Sequence, residues 1–288
     1  MTSIWRGVLP AITTPFREDY SIDHEFFAKH CSWLIDNGCS GIVALGSLGE
    51  GATLSLDEKR DLLKTAVKAA RDRVPVVAGV SALSTQEAVV IARIAQDAGC
   101  QGLMVLPPYV YIGDWREMKA HVSAIISATP LSAMLYNNPV AYTTDFLPHQ
   151  VTELLGEHSN LHAIKESSAD VRRVAALRAA AGDRLQILCG VDDLIVEAVA
   201  MGACGWIAGL VNAFPRESVE LFNKGAWPLY QWFLPLLRMD TVPKFVQLIK
   251  LVQQEVGMGN ERVRAPRMTL TGSERAAALA VIGDALRR

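Results

Sequence analysis

Eight short apolar runs, separated by longer segments with helical periodicity, occupy most of this 288-residue chain. The runs cover 7–16, 41–47, 74–80, 102–108, 131–138, 161–168, 185–192 and 204–212. Strands that are apolar along their whole length are typical of a parallel sheet covered by helices. Eight such units, each of roughly 25 to 30 residues, predict an α/β fold of the (β/α)8 TIM barrel type.

The segments between the runs begin and end as helices do. In 84–98 the apolar residues recur at helical spacing, and Gly99 stands where such a helix should end. Ser84 and Glu87 have the form of a capping box at its start. The alternative is an open doubly wound sheet, but the glycine-rich turn at 46–51 reads G-x-x-G-x-G, whereas a dinucleotide-binding turn reads G-x-G-x-x-G.

The last part of the chain departs from this alternation. Three helical segments follow residue 226 with no apolar strand between them, and Pro228, Pro235 and Pro243 are expected at bends or helix starts. We therefore expect a barrel domain over 1–226 and a C-terminal three-helix extension over 227–288 that packs on it.

Charge and composition argue against several kinds of partner. The formal net charge is −2 and the Lys and Arg residues are scattered, so no basic surface for nucleic acid is expected. The first residues contain no basic leader, and charges interrupt every apolar stretch before about 18 residues. The sequence thus predicts a cytoplasmic protein that does not bind membranes.

Cysteine and histidine usage gives no sign of a metal site. The five cysteines are odd in number and form no C-x-x-C motif, which predicts buried free thiols. The six histidines show no metal-ligand spacing such as H-E-x-x-H. No metal or cofactor is expected.

Polar residues concentrate at the carboxyl ends of the predicted strands, where barrels of this kind carry their reactive groups. They are Thr13, Thr14, Ser47, Tyr109, Tyr111, Tyr136, Asn137, Asn138, Lys165, Ser167, Ser168, Gly190, Asp192, Asp193 and Asn212. An alternative interpretation is that several of them only begin loops or cap helices, in particular Thr13, Asn137, Ser168, Asp192 and Asp193.

Lys165 lies inside the apolar run LHAIKESS, where an ammonium group is unexpected. Residues alternate sides along a strand, so Lys165 shares a face with Ala163 and Ser167 and not with Glu166. If these small residues face the barrel interior, Lys165 does too. Burial without a partner favours the neutral amine, a nucleophile that can form a Schiff base with a carbonyl group. A structural lysine that is paired or points outward is the alternative.

Two further features fit a Schiff-base site. Tyr136, at the end of the neighbouring strand, can serve as a proton shuttle over Lys165. The turn from Gly46 to Gly49 offers backbone N–H groups and the Ser47 hydroxyl to an anion such as a carboxylate. Each feature alone is common, and it is their joint occurrence with Lys165 that points to chemistry.

These motifs resemble the dihydrodipicolinate synthase / N-acetylneuraminate lyase family of class I, lysine-dependent enzymes. The motifs are GVLPAITTPF, ALGSLGE, LPPY, YNNP and AIKES. The resemblance implies a homotetrameric barrel enzyme with Lys165 as the Schiff-base lysine and Tyr136 as the proton shuttle. It further implies a substrate site formed by Ser47, Leu48, Tyr109, Asn138, Gly190 and Ile207.

Three positions depart from the pattern of true dihydrodipicolinate synthases. Leu48 replaces a threonine of the turn, Val110 replaces the second of two adjacent tyrosines, and Ala141 replaces an arginine. The hydroxyl lost at Leu48 is expected to break the family's threonine-to-tyrosine proton relay. The arginine lost at Ala141 removes the expected partner of a second substrate carboxylate.

The resulting prediction is a lyase of a small 2-oxo acid or its cyclic imine. The most specific hypothesis is deamination of Δ1-pyrroline-4-hydroxy-2-carboxylate to 2-oxoglutarate semialdehyde. It is based on the general resemblance of the segments YNNPVAY and LPPYVYIGDWREMKAH to the deaminase branch of the family that acts on this compound. Alternatives are dihydrodipicolinate synthase, from pyruvate and aspartate semialdehyde, and an aldolase or dehydratase of 2-oxo-3-deoxy sugar acids. Two other classes stay open: a phosphate-binding barrel enzyme that uses the GVDD and AGLVN loops, and a non-catalytic small-ligand-binding barrel.

Overall fold

Each of the eight apolar runs contains one strand in the computed structural model, which describes residues 4–287. The strands are β1 (Gly7–Pro10), β2 (Ile42–Ala44), β3 (Val76–Val80), β4 (Gly102–Val105), β5 (Ser132–Asn137), β6 (Leu161–Glu166), β7 (Gln186–Cys189) and β8 (Gly205–Ala208). All pairings between them are parallel, and every strand is shorter than the run that contains it. The polar ends of the runs therefore lie in the loops beyond the strands.

The sheet closes on itself. Its order is β1, β8, β7, β6, β5, β4, β3 and β2, so the first strand pairs with the last. β1 and β2 are joined at a single bridge between Ala11 and Val43. The predicted (β/α)8 barrel is thus confirmed, with one seam between its first two strands.

Helices cover the outside of the barrel and extend beyond it. They are α1 (His24–Asp36), α2 (Leu56–Ala70), α3 (Thr85–Asp97), α4 (Trp115–Ile126), α5 (Pro139–Tyr142), α6 (Pro148–Glu157), α7 (Arg172–Ala181), α8 (Ile195–Ala200), α9 (Pro215–Lys224), α10 (Trp227–Leu237), α11 (Phe245–Glu255) and α12 (Gly272–Leu286). α3 begins as predicted, because the Ser84 hydroxyl accepts a hydrogen bond from the backbone N–H of Glu87. Gly99 follows its end with a left-handed φ of +88°.

The three C-terminal helices are present as expected, with Pro228 in the first turn of α10 and Pro235 inside it. A buried ion pair joins them to the barrel: Lys250 Nζ of α11 lies 2.6 Å from Oε1 of Glu50, in the turn after β2. The domain boundary at residue 226 stays a prediction. Residues 1–3 and 288, which fall within the predicted domains, lie outside the described residues.

Two further features concern the chain as a whole. None of the helices between residues 4 and 287 has both the length and the apolar character to cross a membrane. The five cysteines all lie within these residues and none of them is in a disulfide. Four are buried and Cys204 is half-buried, as the absence of paired spacing predicted.

Candidate active site

A cavity of about 450 Å³ lies at the carboxyl ends of the strands. Seven of the eight predicted site residues line it: Lys165, Tyr136, Ser47, Leu48, Asn138, Gly190 and Ile207. They come from strands and loops up to 160 residues apart in sequence, and the barrel brings them together. Tyr109 is not among the lining residues.

Lys165 is buried and lies beside Tyr136. The two are register partners on β6 and β5, and Lys165 Nζ is 4.2 Å from the centroid of the Tyr136 ring. Lys165 has no hydrogen bond or ion pair with any residue between 4 and 287. Glu166 lies on the other face of the strand, where it accepts hydrogen bonds from Asn137 Nδ2 (3.0 Å) and the Ser168 N–H (2.6 Å). The Nζ group is therefore available to a ligand in the cavity.

Gly190 leaves the space that the lysine side chain occupies. A Cβ atom at this position would lie 2.5 Å from Lys165 Cε and 2.0 Å from Ser167 Oγ. Because both distances are far below van der Waals contact, only glycine fits here without moving Lys165. The Ser167 hydroxyl is buried and has no hydrogen-bond partner among the described residues.

Asn138 orients the Tyr136 hydroxyl. Its Nδ2 group donates to Tyr136 Oη over 3.0 Å, while its Oδ1 atom accepts from the Ala141 N–H and so caps the short helix α5. The bond from Asn138 uses a lone pair of the phenol oxygen, which leaves the Tyr136 proton free to be donated elsewhere.

The turn after β2 contacts a tyrosine that was not predicted. Ser47 Oγ is hydrogen-bonded to the Tyr142 hydroxyl at the end of α5. The Tyr142 ring lies edge-on to that of Tyr136, with 5.8 Å between centroids. Leu48 is buried, and a leucine side chain supplies no hydroxyl group. Ser47, one residue earlier, does supply a hydroxyl-to-tyrosine contact, although its partner is Tyr142 and not Tyr136.

Tyr109 lies behind this group and not in the cavity. Its ring centroid is 5.8 Å from that of Tyr142. Tyr109 thus contacts the site only through Tyr142. The aromatic end of YNNPVAY could have pointed to Tyr142, but no local pattern indicates which neighbour it binds.

Asp192 has a structural position, as the alternative interpretation proposed. Its buried carboxylate accepts hydrogen bonds from Trp206 Nε1 (2.9 Å), the Leu210 N–H (2.9 Å) and the Gly209 N–H (3.1 Å). Burial is the main reason that its pKa is raised to about 6. The amides of Gly209 and Leu210 are the donors that a phosphate group would need at the end of β8. Since Asp192 already occupies them, the structure argues against the phosphate-binding hypothesis.

Several other polar residues at strand ends are engaged in the same way. Thr13 Oγ1 donates to Gln253 Oε1 over 2.8 Å, and Thr14 Oγ1 donates to the Gly49 carbonyl over 2.6 Å. Asn137 Oδ1 accepts from the Phe146 N–H over 2.9 Å. These groups hold the loops and the extension in place around the cavity.

The extension itself contributes one wall of the cavity, which the sequence analysis missed. Asp240, Thr241, Val242, Pro243 and Phe245, between α10 and the first turn of α11, line it. The Asp240 carboxyl group is packed against Gly209, where a Cβ atom would lie 2.0 Å from Oδ1. No local motif marks these residues, because their place in the site depends on how the extension folds back over the barrel.

Among residues 4–287, no group of three or more His, Cys, Asp or Glu side chains has the arrangement of a metal site.

The sequence comparisons and the structural comparisons with known proteins agree on the family of this chain. The sequence model of the dihydrodipicolinate synthetase family matches residues 5–285. The 4-hydroxy-tetrahydrodipicolinate synthase of Agrobacterium fabrum is 33% identical over 273 residues, which cover 92% of this chain and 93% of that protein.

Solved structures show the same likeness. A chloride-inhibited dihydrodipicolinate synthase from Acinetobacter baumannii, complexed with pyruvate, superposes with a TM-score of 0.92 at 28% identity, covering 98% of this chain and 99% of that one. The dihydrodipicolinate synthase from Aquifex aeolicus gives a TM-score of 0.92 at 26% identity, covering 97% of each chain. At this coverage both matches take in barrel and extension together.

Proposed function

The chain belongs to the dihydrodipicolinate synthetase family of class I lyases, and from this premise we propose that Lys165 is its Schiff-base lysine. The substrate would be a small 2-oxo acid or its cyclic imine. The observation that carries the proposal is the position of Lys165 Nζ: buried, unpaired and 4.2 Å from the centre of the Tyr136 ring, in a cavity at the carboxyl ends of the strands.

The covalent step requires an amine, a proton donor and a group that holds the carboxylate. Lys165 Nζ would attack C2 of the 2-oxo acid and form the C=N bond, while the amine gives up two protons and the carbonyl oxygen takes up two protons and leaves as water. We assign the transfer of these protons to Tyr136. The Ser47 hydroxyl and the amide of Leu48 would bind the substrate carboxylate, because they line the cavity at the turn after β2.

The relatives support one of the finer alternatives. Several are named 4-hydroxy-tetrahydrodipicolinate synthase, including those from Agrobacterium fabrum and Chelativorans. Their names favour the condensation of pyruvate with aspartate semialdehyde, and none of the comparisons supports the deaminase hypothesis. We therefore treat the synthase as the first activity to test.

One observation keeps the deaminase as a second candidate. Ala141 lines the cavity at the place where the family resemblance leads one to expect an arginine for the second substrate's carboxylate. In the deaminase reaction Lys165 would attack C2 and release the ring nitrogen as an amine on C5. Loss of a C3 proton and the C4 hydroxyl as water, followed by proton transfers that move the new double bond to C5=N, would turn the amine into an imine. Hydrolysis at C5 and at the lysine imine would then release ammonia and 2-oxoglutarate semialdehyde.

Trapping of the imine tests the proposal. Incubation with pyruvate and borohydride should reduce the Schiff base and add the mass of the reduced pyruvyl group to the peptide that carries Lys165. An adduct on another lysine, or none with pyruvate, with Δ1-pyrroline-4-hydroxy-2-carboxylate or with other 2-oxo acids, would contradict it. A turnover assay with the two candidate substrate sets then separates synthase from deaminase.

A homotetramer in the cytoplasm is part of the same proposal. The family resemblance implies the tetramer, and the absence of a basic leader and of long apolar stretches in the sequence predicts the location. In support of an interface near the site, Val110, Tyr111, Ile112 and Val140 are large apolar side chains that are exposed in the single chain. Light scattering coupled to size-exclusion chromatography measures the mass in solution, and fractionation of the native cells measures the location.

A further inference from the structure

Few charged side chains line the cavity, and they differ from the cations that binding of a dicarboxylate substrate would require. Among the described lining residues, Lys165 is the only cation and Asp240 the only anion. If Lys165 becomes an imine and the turn at Ser47 binds the first carboxylate, no cation is left for a second one. The other charged group that a bound substrate meets is a carboxyl group.

Asp240 is placed as a ligand-facing group and not as a structural one. It is half-buried, lines the cavity, and has no hydrogen bond or ion pair with the residues from 4 to 287. Asp192, close by, shows the contrast, since its carboxylate is held by Trp206 and by the amides of Gly209 and Leu210. The part of the carboxyl group that is not buried faces the cavity, where a ligand can supply the missing partner.

Gly209 fixes where the Asp240 carboxyl lies. A Cβ atom at Gly209 would be 2.0 Å from Oδ1 and 2.4 Å from Cγ, so the carboxyl packs directly on the backbone at the end of β8. The cavity also includes Lys165, Gly190 and Ile207, which lie on or next to β6, β7 and β8. The carboxyl and the lysine therefore face the same cavity.

We propose that Asp240 is a specificity-determining residue that hydrogen-bonds a hydroxyl group on the substrate. This assignment rests on the proposed Schiff-base function of Lys165. It defines the substrate class more narrowly: a 2-oxo acid of about five carbons, or its cyclic imine, that carries a hydroxyl beyond C2 and no second carboxylate. Ionised or neutral, the carboxyl can pair with a hydroxyl, whereas the ionised form repels a distal carboxylate.

The electrostatic surroundings agree with this assignment. Burial, followed by the neighbouring Asp192, raises the pKa of the Asp240 carboxyl, and Lys165 acts in the opposite direction. Binding of a further anion nearby would raise it more and is therefore unfavourable. A neutral hydroxyl imposes no such cost.

A matched set of 2-oxo acids tests the inference. The probes are 2-oxoglutarate, 5-hydroxy-2-oxopentanoate, which differs from it only at C5, and 4-hydroxy-2-oxopentanoate. The measurement is the concentration that gives half-maximal borohydride-trapped adduct on Lys165. Of the two hydroxylated acids, the one that the wild-type protein binds more tightly should reach half-maximal adduct at a concentration at least about tenfold lower than 2-oxoglutarate does, which is about 1.4 kcal/mol. In Asp240→Asn this preference should shrink by about tenfold, mainly through tighter binding of 2-oxoglutarate.

Asp97→Asn is the control, because Asp97 is an exposed carboxylate at the end of α3 that does not line the cavity. The preference of this control variant for the hydroxylated acid over 2-oxoglutarate should equal that of the wild-type protein. An unchanged preference in Asp240→Asn would overturn the role of Asp240. If that variant does not fold, a wild-type preference for 2-oxoglutarate overturns the inference by itself. Absence of any adduct, with pyruvate included, would instead refute the Schiff-base function.

Discussion

The hydroxyl groups of Ser47 and Tyr142 are hydrogen-bonded to each other, which connects the turn after β2 to the short helix after β5. The Tyr142 ring in turn lies edge-on to that of Tyr136. Burial, followed by the neighbouring Tyr136, raises the pKa of the Tyr142 hydroxyl, so it keeps its proton near neutral pH. The three residues form a connected set, of which Tyr136 is the member beside Lys165.

Tyr142→Phe should lower kcat by about 10- to 100-fold with a small change in KM, because a hydroxyl that helps proton transfer acts mainly on the chemical step. Steady-state kinetics on the substrate found by the turnover assay measure this. Tyr20→Phe, at an exposed tyrosine distant from the cavity lining, is the control and should retain wild-type rates. An equal loss in both variants would refute a specific part for Tyr142.

Lys165→Met should abolish the trapped adduct and reduce kcat by at least about a thousandfold, because no other lysine is among the described residues that line the cavity. The same change removes a buried amine that has no ion pair, so we expect the midpoint of thermal unfolding to stay the same or rise. Calorimetry and the borohydride assay measure the two effects. A fall in the midpoint of more than a few degrees would show that Lys165 also supports the fold.

Gly190→Ala should reduce kcat by at least about tenfold, because the new methyl group would displace Lys165 Cε and Ser167 Oγ. Gly156→Ala is the matched control: a Cβ atom there has no neighbour within 4 Å, so activity should be unchanged and stability slightly higher. The ratio of the two rates, with circular dichroism to check folding, tests whether Gly190 is needed for the position of the lysine.

His30 should make the protein less stable in acid. It is buried, and burial lowers its pKa from 6.5 to about 4. The unfolded chain therefore binds more protons than the folded one between about pH 4 and 6.5, so stability is full above pH 6.5 and falls as the pH drops through this range. The loss between pH 7 and pH 5 from this group is about 2 kcal/mol.

His30→Gln tests this value, since an amide can still donate to the Asn212 carbonyl that His30 Nε2 contacts at 2.9 Å. Urea unfolding at pH 7 and pH 5 should show a smaller drop in the free energy of unfolding for the variant. Equal drops for both proteins would mean that other groups govern acid sensitivity.

The fold could be predicted because it repeats one local pattern. Runs such as 74–80 and 102–108 are apolar throughout, since a barrel strand is covered by helices outside and by side-chain layers inside. The phase of LHAIKESS likewise placed Lys165 on the face with Ala163 and Ser167. Six of the polar residues at the strand ends line the cavity: Ser47, Tyr136, Asn138, Lys165, Ser167 and Gly190.

The rest of the site depends on contacts that no local pattern records. Asp240 reaches the cavity only because the extension folds over the barrel, and its contact with Gly209 spans 31 residues of sequence. The pairing of Tyr142 with Ser47 joins loops 95 residues apart. The contact between Tyr109 and Tyr142 likewise joins two loops, and strand periodicity does not extend into loops.

Two different parts of the chain carry Lys165, which is proposed to form the covalent bond, and Asp240, which is proposed to contact the rest of the substrate. Lys165 belongs to a barrel strand, whereas Asp240 belongs to the extension, which the buried Lys250 to Glu50 pair fastens to the turn after β2. Substitutions at a few residues outside the strands can therefore change the substrate specificity of the enzyme and leave its covalent chemistry intact. Chimaeras that exchange only residues 238–245 between relatives offer a direct way to test this separation.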